Sequence, residues 1–312
     1  MTTRHTSLLH GLAGSLVVTV SLGVMSLFAS DSRDFGARLV PALAMCGLAL
    51  ALVALLLRLR RRPWSFIGVA GGAAPARAFA LGVAVVVASA ILVFGGATVL
   101  GLVSWGPLDL PTLGVFLVTN TVIALLLEAI PEEVALRGYT QSSLAESFGR
   151  VLTVTLTTAF FVLAPLLLFT VQSVILSLTS GEWKWSFTPD GGDPAIYYIP
   201  LAIFGVTMSL ARWATPTRSI GTSIRAHVAY LTVARIALSG DADATGWSMA
   251  LLAPDAILVI PVLLVLAGVG FYVLGRRMPR HHYLHGTDLN PHSPSCSLAA
   301  STAGIASATS RR

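Results

Sequence analysis

A group of ionisable residues follows a long apolar run in the middle of the chain. It contains Glu128, the adjacent pair Glu132 and Glu133, and Arg137. In an α-helix Glu133 and Arg137 are four residues apart and can form an ion pair, which leaves Glu132 on a different face beside Glu128. An unpaired carboxylate could act as a general base that takes a proton from water. The same group could instead be a solvated helix end among lipid headgroups.

A second group of polar residues interrupts a later apolar run. His227, Leu231 and Arg235 recur every four residues and therefore share one stripe of a helix. A single histidine in such a run is more often a packing residue than a catalyst, and Arg235 could simply extend towards the headgroups. Together with the distant glutamate pair, His227 becomes a stronger candidate for a catalytic site.

The composition indicates the kind of element that must position these residues. The chain has 312 residues, of which 55% are hydrophobic and 11% are charged, and its mean hydropathy is +0.80. Soluble domains are nearer to 25% charged, so a soluble enzyme, a disordered protein and a DNA-binding domain are excluded. The net charge of +6 does not indicate a nucleic-acid partner, because the basic residues lie between apolar runs.

Eight apolar runs are long enough, or nearly so, to cross a bilayer, which needs about 20 residues per helix. The runs are Leu8–Ala29, Leu39–Leu57, Ala78–Val103, Pro111–Leu127, Val151–Leu178, Ala195–Ala211, Ser219–Leu238 and Ala256–Leu274. They predict an all-α polytopic membrane protein, a bundle of about eight transmembrane helices, with the bilayer as its surroundings.

Arginine and lysine residues predict the orientation. With the N-terminus inside, the inner segments hold most of the arginines, including the group Arg58, Arg60, Arg61 and Arg62, and the outer loops hold few basic residues and many aspartates. The positive-inside rule therefore predicts a cell-membrane protein with both termini in the cytoplasm. The sequence carries no signal for an oligomeric state.

The predicted organisation has four parts. Residues 1–110 supply flanking transmembrane helices, residues 111–240 the core, residues 241–275 the last helix, and residues 276–312 a disordered cytoplasmic tail. Cys46 lies in an apolar run and Cys296 in the tail, so a disulfide between them is not expected. No metal-ligand spacing is present, and neither a metal nor a cofactor is expected.

The glutamate segment resembles the first motif, E-E-x-x-x-R-G, of the CPBP family of intramembrane glutamic endopeptidases. These proteins are related to the type II CAAX prenyl endopeptidase and to bacteriocin-processing and immunity proteins. The resemblance covers roughly residues 111–240. Its later elements are Gly205, the segment Ser219–Ile220, and His227, which matches the histidine of the family's H-x-x-x-N motif. The resemblance implies a CPBP-type core within the predicted bundle.

The resemblance also implies roles for individual residues. Glu132 would be the general base that activates water, Glu133 and Arg137 a supporting pair, and His227 a further catalytic residue. Two positions depart from the family pattern: Pro165 replaces the histidine of F-x-x-x-H, and Leu231 replaces the asparagine of H-x-x-x-N. Neither side chain can donate a hydrogen bond. Gln172 or Tyr230 could substitute for the missing groups.

Three functions remain open at this stage. The first is an intramembrane endopeptidase that hydrolyses a peptide bond of a membrane or membrane-proximal substrate. The second is a catalytically impaired pseudoprotease that serves as a binding or chaperoning module for membrane proteins. The third is a small proton-coupled transporter with Glu128, Glu132 and His227 as a relay, which explains the charges but not the motif.

Overall fold

The computed structural model describes residues 3–26, 34–69, 74–188 and 191–277, and the bundle of long helices matches the predicted fold class. Within these residues there are eight long helices. They are α1 (Arg4–Ser26), α2 (Phe35–Leu59), α3 (Ala74–Val99), α4 (Leu110–Ala145), α5 (Arg150–Ser180), α6 (Pro194–Trp213), α7 (Ile220–Ser239) and α8 (Val259–Arg277). Seven of the helices are long and apolar enough to cross a membrane. The chain is therefore an all-α polytopic integral membrane protein.

Helix α7 is the exception among the eight, because it carries Arg225, His227 and Arg235. It packs against α3, α4 and α6, so that protein surrounds its polar residues. Charged side chains inside a bilayer almost always face the interior of the bundle, because it is costly to place them against lipid. Ser219 begins the helix, and its hydroxyl accepts a hydrogen bond from the Gly221 amide at 3.1 Å.

Helix α4 departs from the regular α-helix that the sequence predicts. Two segments of it, Leu125–Ala129 and Glu133–Thr140, are π-helical. Such segments are rare in proteins and occur frequently at functional sites. The first half of α4 carries exposed apolar side chains, whereas Glu133 to Gln141 is buried throughout. This second half lies at the centre of the bundle and contacts α1, α2, α5, α6 and α7.

Close helix packing around α4 depends on small residues. At Gly14 in α1 a Cβ atom would collide with the side chains of Thr140 and Tyr139. At Gly82 in α3 it would lie 2.5 Å from the Thr222 carbonyl oxygen of α7. Both glycines therefore set how near a neighbouring helix comes to the site-bearing elements.

A short antiparallel sheet, which the sequence did not predict, closes one end of the bundle. Strand β1 (Val103–Trp105) pairs with β2 (Met249–Leu251), and Trp105 stacks on Trp247 with ring centres 4.2 Å apart. We call this end the sheet face. There Asp109 caps α4: its carboxylate accepts hydrogen bonds from the Thr112 amide and hydroxyl, which lowers the pKa of Asp109.

The opposite end of the bundle, where α2 and α4 end, is the arginine-rich face. Glu146 pairs there with Arg60 at 2.6 Å and with Arg62, and Ser7 bonds Ser147 at 2.8 Å. The predicted domain boundaries are not tested by these contacts and stay predictions. Of the predicted tail, residues 278–312 lie outside the described residues.

Candidate active site

Glu133 lies at the centre of a buried ion cluster between α4 and α7. Its Oε1 atom is 3.4 Å from the Arg137 guanidinium, four residues further along the π-helical segment, and 3.0 Å from Nδ1 of His227. Glu133 and Arg137 have no exposed surface, and His227 is 2% exposed. The structure thus brings three of the four predicted site residues into direct contact, including the ion pair that their spacing predicted.

Arg137 is held from three further directions. Its guanidinium donates to the Gly205 carbonyl oxygen at 3.3 Å and stacks over the rings of Phe161 and Phe204, at 4.6 and 5.7 Å. A Cβ atom on Gly205 would lie 3.0 Å from Thr158, so α5 and α6 meet closely beside the cation. Cation–π contacts are strongest where the cation is desolvated, as it is here.

His227 has a definite orientation because of its partners. An ionised Glu133 can only accept, so Nδ1 of His227 must donate to it, which leaves Nε2 for another group. The ring also meets the edge of Phe204 at 4.7 Å. At 1.5 Å per residue, His227 lies about 10 Å along α7 from its first residue, Ile220, at the arginine-rich face.

Glu132 differs from its neighbour Glu133 in both exposure and partners. It is partly exposed, and within the described residues no hydrogen bond or ion pair engages its carboxylate. The fourth predicted site residue therefore lies beside the cluster, partly exposed and outside its hydrogen bonds.

The two departures from the family pattern leave this region short of donors. Pro165 lies inside α5 and has no amide hydrogen for the Phe161 carbonyl. Leu231 follows His227 by one turn of α7 and is apolar. Tyr230 contacts Phe204 with ring centres 5.1 Å apart, and among the described residues neither Tyr230 nor Gln172 hydrogen-bonds to the cluster. The described residues therefore give no sign that either side chain substitutes for the missing groups.

Arg212 is a buried member of the site that the sequence analysis missed. The sequence places it at the end of a span among the basic residues of a loop, yet it lies in the last turn of α6 and is 4% exposed. Its guanidinium donates to the carbonyl oxygens of Arg137 and Gly138 and, at 2.7 Å, to the Ser142 hydroxyl. It therefore supports the π-helical backbone on which Glu133 and Arg137 lie. The position of Arg212 in the sequence does not by itself predict these contacts with α4.

A second polar cluster lies further towards the sheet face. Arg235 pairs with Glu128 and donates to Asn120, whose amide donates to the Thr232 hydroxyl at 2.9 Å. Arg235 does not simply extend towards the headgroups, because α4 offers it two partners inside the bundle. Glu128 likewise faces Arg235 instead of standing unpaired beside Glu132.

Comparison with known families adds an independent finding. Residues 114–233 match the family model described as Type II CAAX prenyl endopeptidase Rce1-like. Over this part of the chain, the match supports the CPBP family assignment and a similarity to CAAX protease-like membrane endopeptidases. The matched region begins in α4 and ends in α7, and it includes every member of the ion cluster. Neither the curated proteins nor the solved structures gave a match.

Proposed function

We propose that the protein is an intramembrane endopeptidase in which Glu132 activates water against a peptide bond of a membrane or membrane-proximal substrate. The observation that carries the proposal is that two adjacent glutamates differ in their exposure and in their bonding partners. Glu133 is committed to Arg137 and His227, at 3.4 and 3.0 Å. Glu132 is partly exposed, and no described residue hydrogen-bonds to its carboxylate or forms an ion pair with it. A general base must be free in this way to take a proton.

The proposed reaction needs one proton acceptor and one nucleophilic water. Glu132 takes a proton from the water while the water oxygen attacks the peptide carbonyl carbon. The C–N bond then breaks, and Glu132 returns the proton to the leaving nitrogen. The Glu133–His227 contact fixes the imidazole, so that Nε2 can hold the water or the developing oxyanion. The buried Arg137 pairs with Glu133 and holds it in this arrangement.

The rate is expected to be low for a family endopeptidase. One oxyanion donor is typically worth a factor of about 100 to 1000 in turnover. Pro165 and Leu231 lie where the family motifs have a donor, and among the described residues neither Tyr230 nor Gln172 takes its place. We therefore propose slow hydrolysis of a restricted set of substrates. The arginine-rich face is proposed to be cytoplasmic, so that the site opens towards that side of the cell membrane.

A second candidate function follows from the same two residues. If donors at positions 165 and 231 are indispensable, the fold serves as a non-catalytic binding module for membrane proteins. The ion cluster is then a structural element, in which the contacts of Glu133 with Arg137 and His227 join α4 to α7. A transporter gains less support, since Glu128 is paired with Arg235 and His227 with Glu133.

Mapping of new peptide termini tests the proposal. Wild type and Glu132→Gln are expressed at equal levels, and termini are compared across the membrane proteome. A set of termini found only with wild type is the expected result, and the sites define the substrate class. Glu182→Gln, in an exposed loop, is the matched control and must cleave like wild type. Identical profiles from two folded, equally abundant proteins would reject the peptidase in favour of the binding module.

A further inference from the structure

The proposed mechanism makes no use of the second polar cluster, formed by Glu128, Arg235, Asn120 and Thr232. Its charges lie within the membrane-spanning part of the bundle, where charged side chains are costly to insert. Arg235 and Glu128 are also not sealed off, since their side chains are 21% and 25% exposed. A cluster that is costly and accessible suggests a role beyond packing.

A cavity of about 260 Å³ borders this cluster on the side of the sheet face. It lies between the first turns of α2, the first half of α4 and the end of α7. Along α4 its lining extends from Thr112 to Ile123, which corresponds to a depth of about 16 Å at 1.5 Å per residue. The cavity could hold about nine waters of liquid volume, or one small organic molecule.

The polar lining of the cavity favours an anion. Arg38 and Arg235 both line it, against one acidic residue, Asp243. An arginine has five N–H donors, and the bonds of Arg235 to Glu128 and Asn120 leave further donors unused. Among the described residues no carboxylate pairs with Arg38. Guanidinium groups with free donors are well suited to carboxylates and phosphates.

The rest of the lining is apolar and adds a second requirement. Phe35, Val115, Phe116 and Ile123 form walls of the cavity. Ligand sites typically combine such walls with a few convergent polar groups. With an inorganic anion bound, the apolar walls would remain exposed to water. An acid with a short hydrocarbon part would cover them.

We propose that this cavity binds a small organic anion, with the acidic group at Arg38 and Arg235 and the apolar part against Phe35, Phe116 and Ile123. The ligand enters from the sheet face, away from the proposed active site. The proposal does not depend on Glu132 being catalytic. The same anionic chemistry is available from a dissolved organic acid or from an acidic lipid headgroup, and the experiment distinguishes these two sources.

Thermal unfolding of the purified full-length protein in neutral detergent tests the site. The probes are hexanoate, its uncharged counterpart 1-hexanol, inorganic phosphate, and nanodiscs of phosphatidylglycerol against phosphatidylcholine. We expect saturable stabilisation by hexanoate and none by hexanol. Stabilisation by phosphatidylglycerol without an effect of hexanoate would assign the anion to a lipid headgroup. No stabilisation by hexanoate or phosphatidylglycerol overturns the proposal, as does equal stabilisation by hexanol.

Two variants with different chemistry assign the effect to the cavity. Arg38→Gln removes one charge-assisted contact and should weaken binding about tenfold or more. Thr119→Trp fills the cavity while keeping both arginines and should abolish binding. Lys184→Gln, which removes an exposed cation that pairs with Glu182 in the loop after α5, is the control and should bind like wild type. Unchanged affinity in Arg38→Gln and Thr119→Trp, or binding of inorganic phosphate that persists in Thr119→Trp, contradicts the site.

Discussion

Adjacent glutamates in α4 have different surroundings, and this difference carries the functional argument. Sequence spacing predicted the Glu133–Arg137 pair because four residues is a local distance in a helix. Spacing could not predict that His227 bonds to Glu133, because that contact joins residues 94 apart in the chain. The same limit applies to Arg212 and Arg235, whose partners lie on other helices.

Substitution of Glu133 should lower the free energy of unfolding much more than substitution of Glu132. Glu133→Gln removes the buried negative charge that Arg137 and His227 contact, and the loss of one partner of a buried ion pair typically costs about 3–5 kcal/mol. Glu132→Gln breaks no observed bond and should change the free energy of unfolding by less than about 1 kcal/mol. Denaturant unfolding in mixed micelles measures both. Equal destabilisation by the two substitutions would contradict the division of roles.

Hydrogen-bond donors restored at positions 165 and 231, where the chain departs from the family motifs, should raise the turnover rate. The double variant Pro165→His with Leu231→Asn returns hydrogen-bonding side chains to α5 and α7 at the two positions where the family motifs have them. We expect at least about 100-fold faster cleavage, since each oxyanion donor is typically worth about 100- to 1000-fold.

The control for this experiment is Pro165→Ala with Leu231→Ala, which changes the helix and the packing but adds no side-chain donor. Initial rates on one cleaved peptide, at equal folded protein, compare the variants. A similar gain in the alanine control would mean that helix geometry, and not the missing donors, limits the rate.

At the scale of elements, the eight helices follow from local apolar patterns. Apart from the C-terminal end of α4, which continues well past the predicted run, the observed bounds lie within a few residues of the predicted ones. The π-helical segments of α4 and the β1–β2 pair could not be predicted in this way. The π-helical turns accompany contacts of α4 with five other helices, and the strands are three residues each with no extended pattern. Long-range packing decides both features.

Close packing of α3 on α7 should be sensitive to a single methyl group. Gly82→Ala places a Cβ atom 2.5 Å from the Thr222 carbonyl oxygen, and overpacking of this kind typically costs about 1–3 kcal/mol. Gly96→Ala in the same helix meets nothing within 4 Å and should be neutral. Thermal unfolding of both variants measures the difference. If Gly82→Ala is as stable as Gly96→Ala, α3 and α7 are not in close contact.

At the scale of the whole molecule, charge is distributed unequally between the two ends of the bundle. The arginine-rich face carries Arg58, Arg60, Arg61 and Arg62 at the end of α2, and Arg276 and Arg277 at the end of α8. This distribution was visible in the sequence because the positive-inside rule needs only the order of spans and loops. The helix order in the structure places both groups at the same end.

The proposed orientation can be tested with thiol labelling. In a Cys46→Ser, Cys296→Ser background, Lys184→Cys should react with an impermeant reagent in intact cells. Ser65→Cys, at the arginine-rich face, should react only after permeabilisation. The expected ratio of labelling before and after permeabilisation is near one for position 184 and near zero for position 65. The opposite pattern would place the arginine-rich face outside.

The most direct test of the central claim is the cleavage rate of Glu132→Gln relative to wild type in reconstituted vesicles. The substrate is a membrane-anchored peptide that contains a site found by terminus mapping, and folded protein is matched by unfolding midpoint. We predict a loss of at least about 100-fold, since general-base catalysis typically contributes about 100- to 10,000-fold. Cleavage at the wild-type rate by folded Glu132→Gln would contradict the assignment of Glu132 as the base.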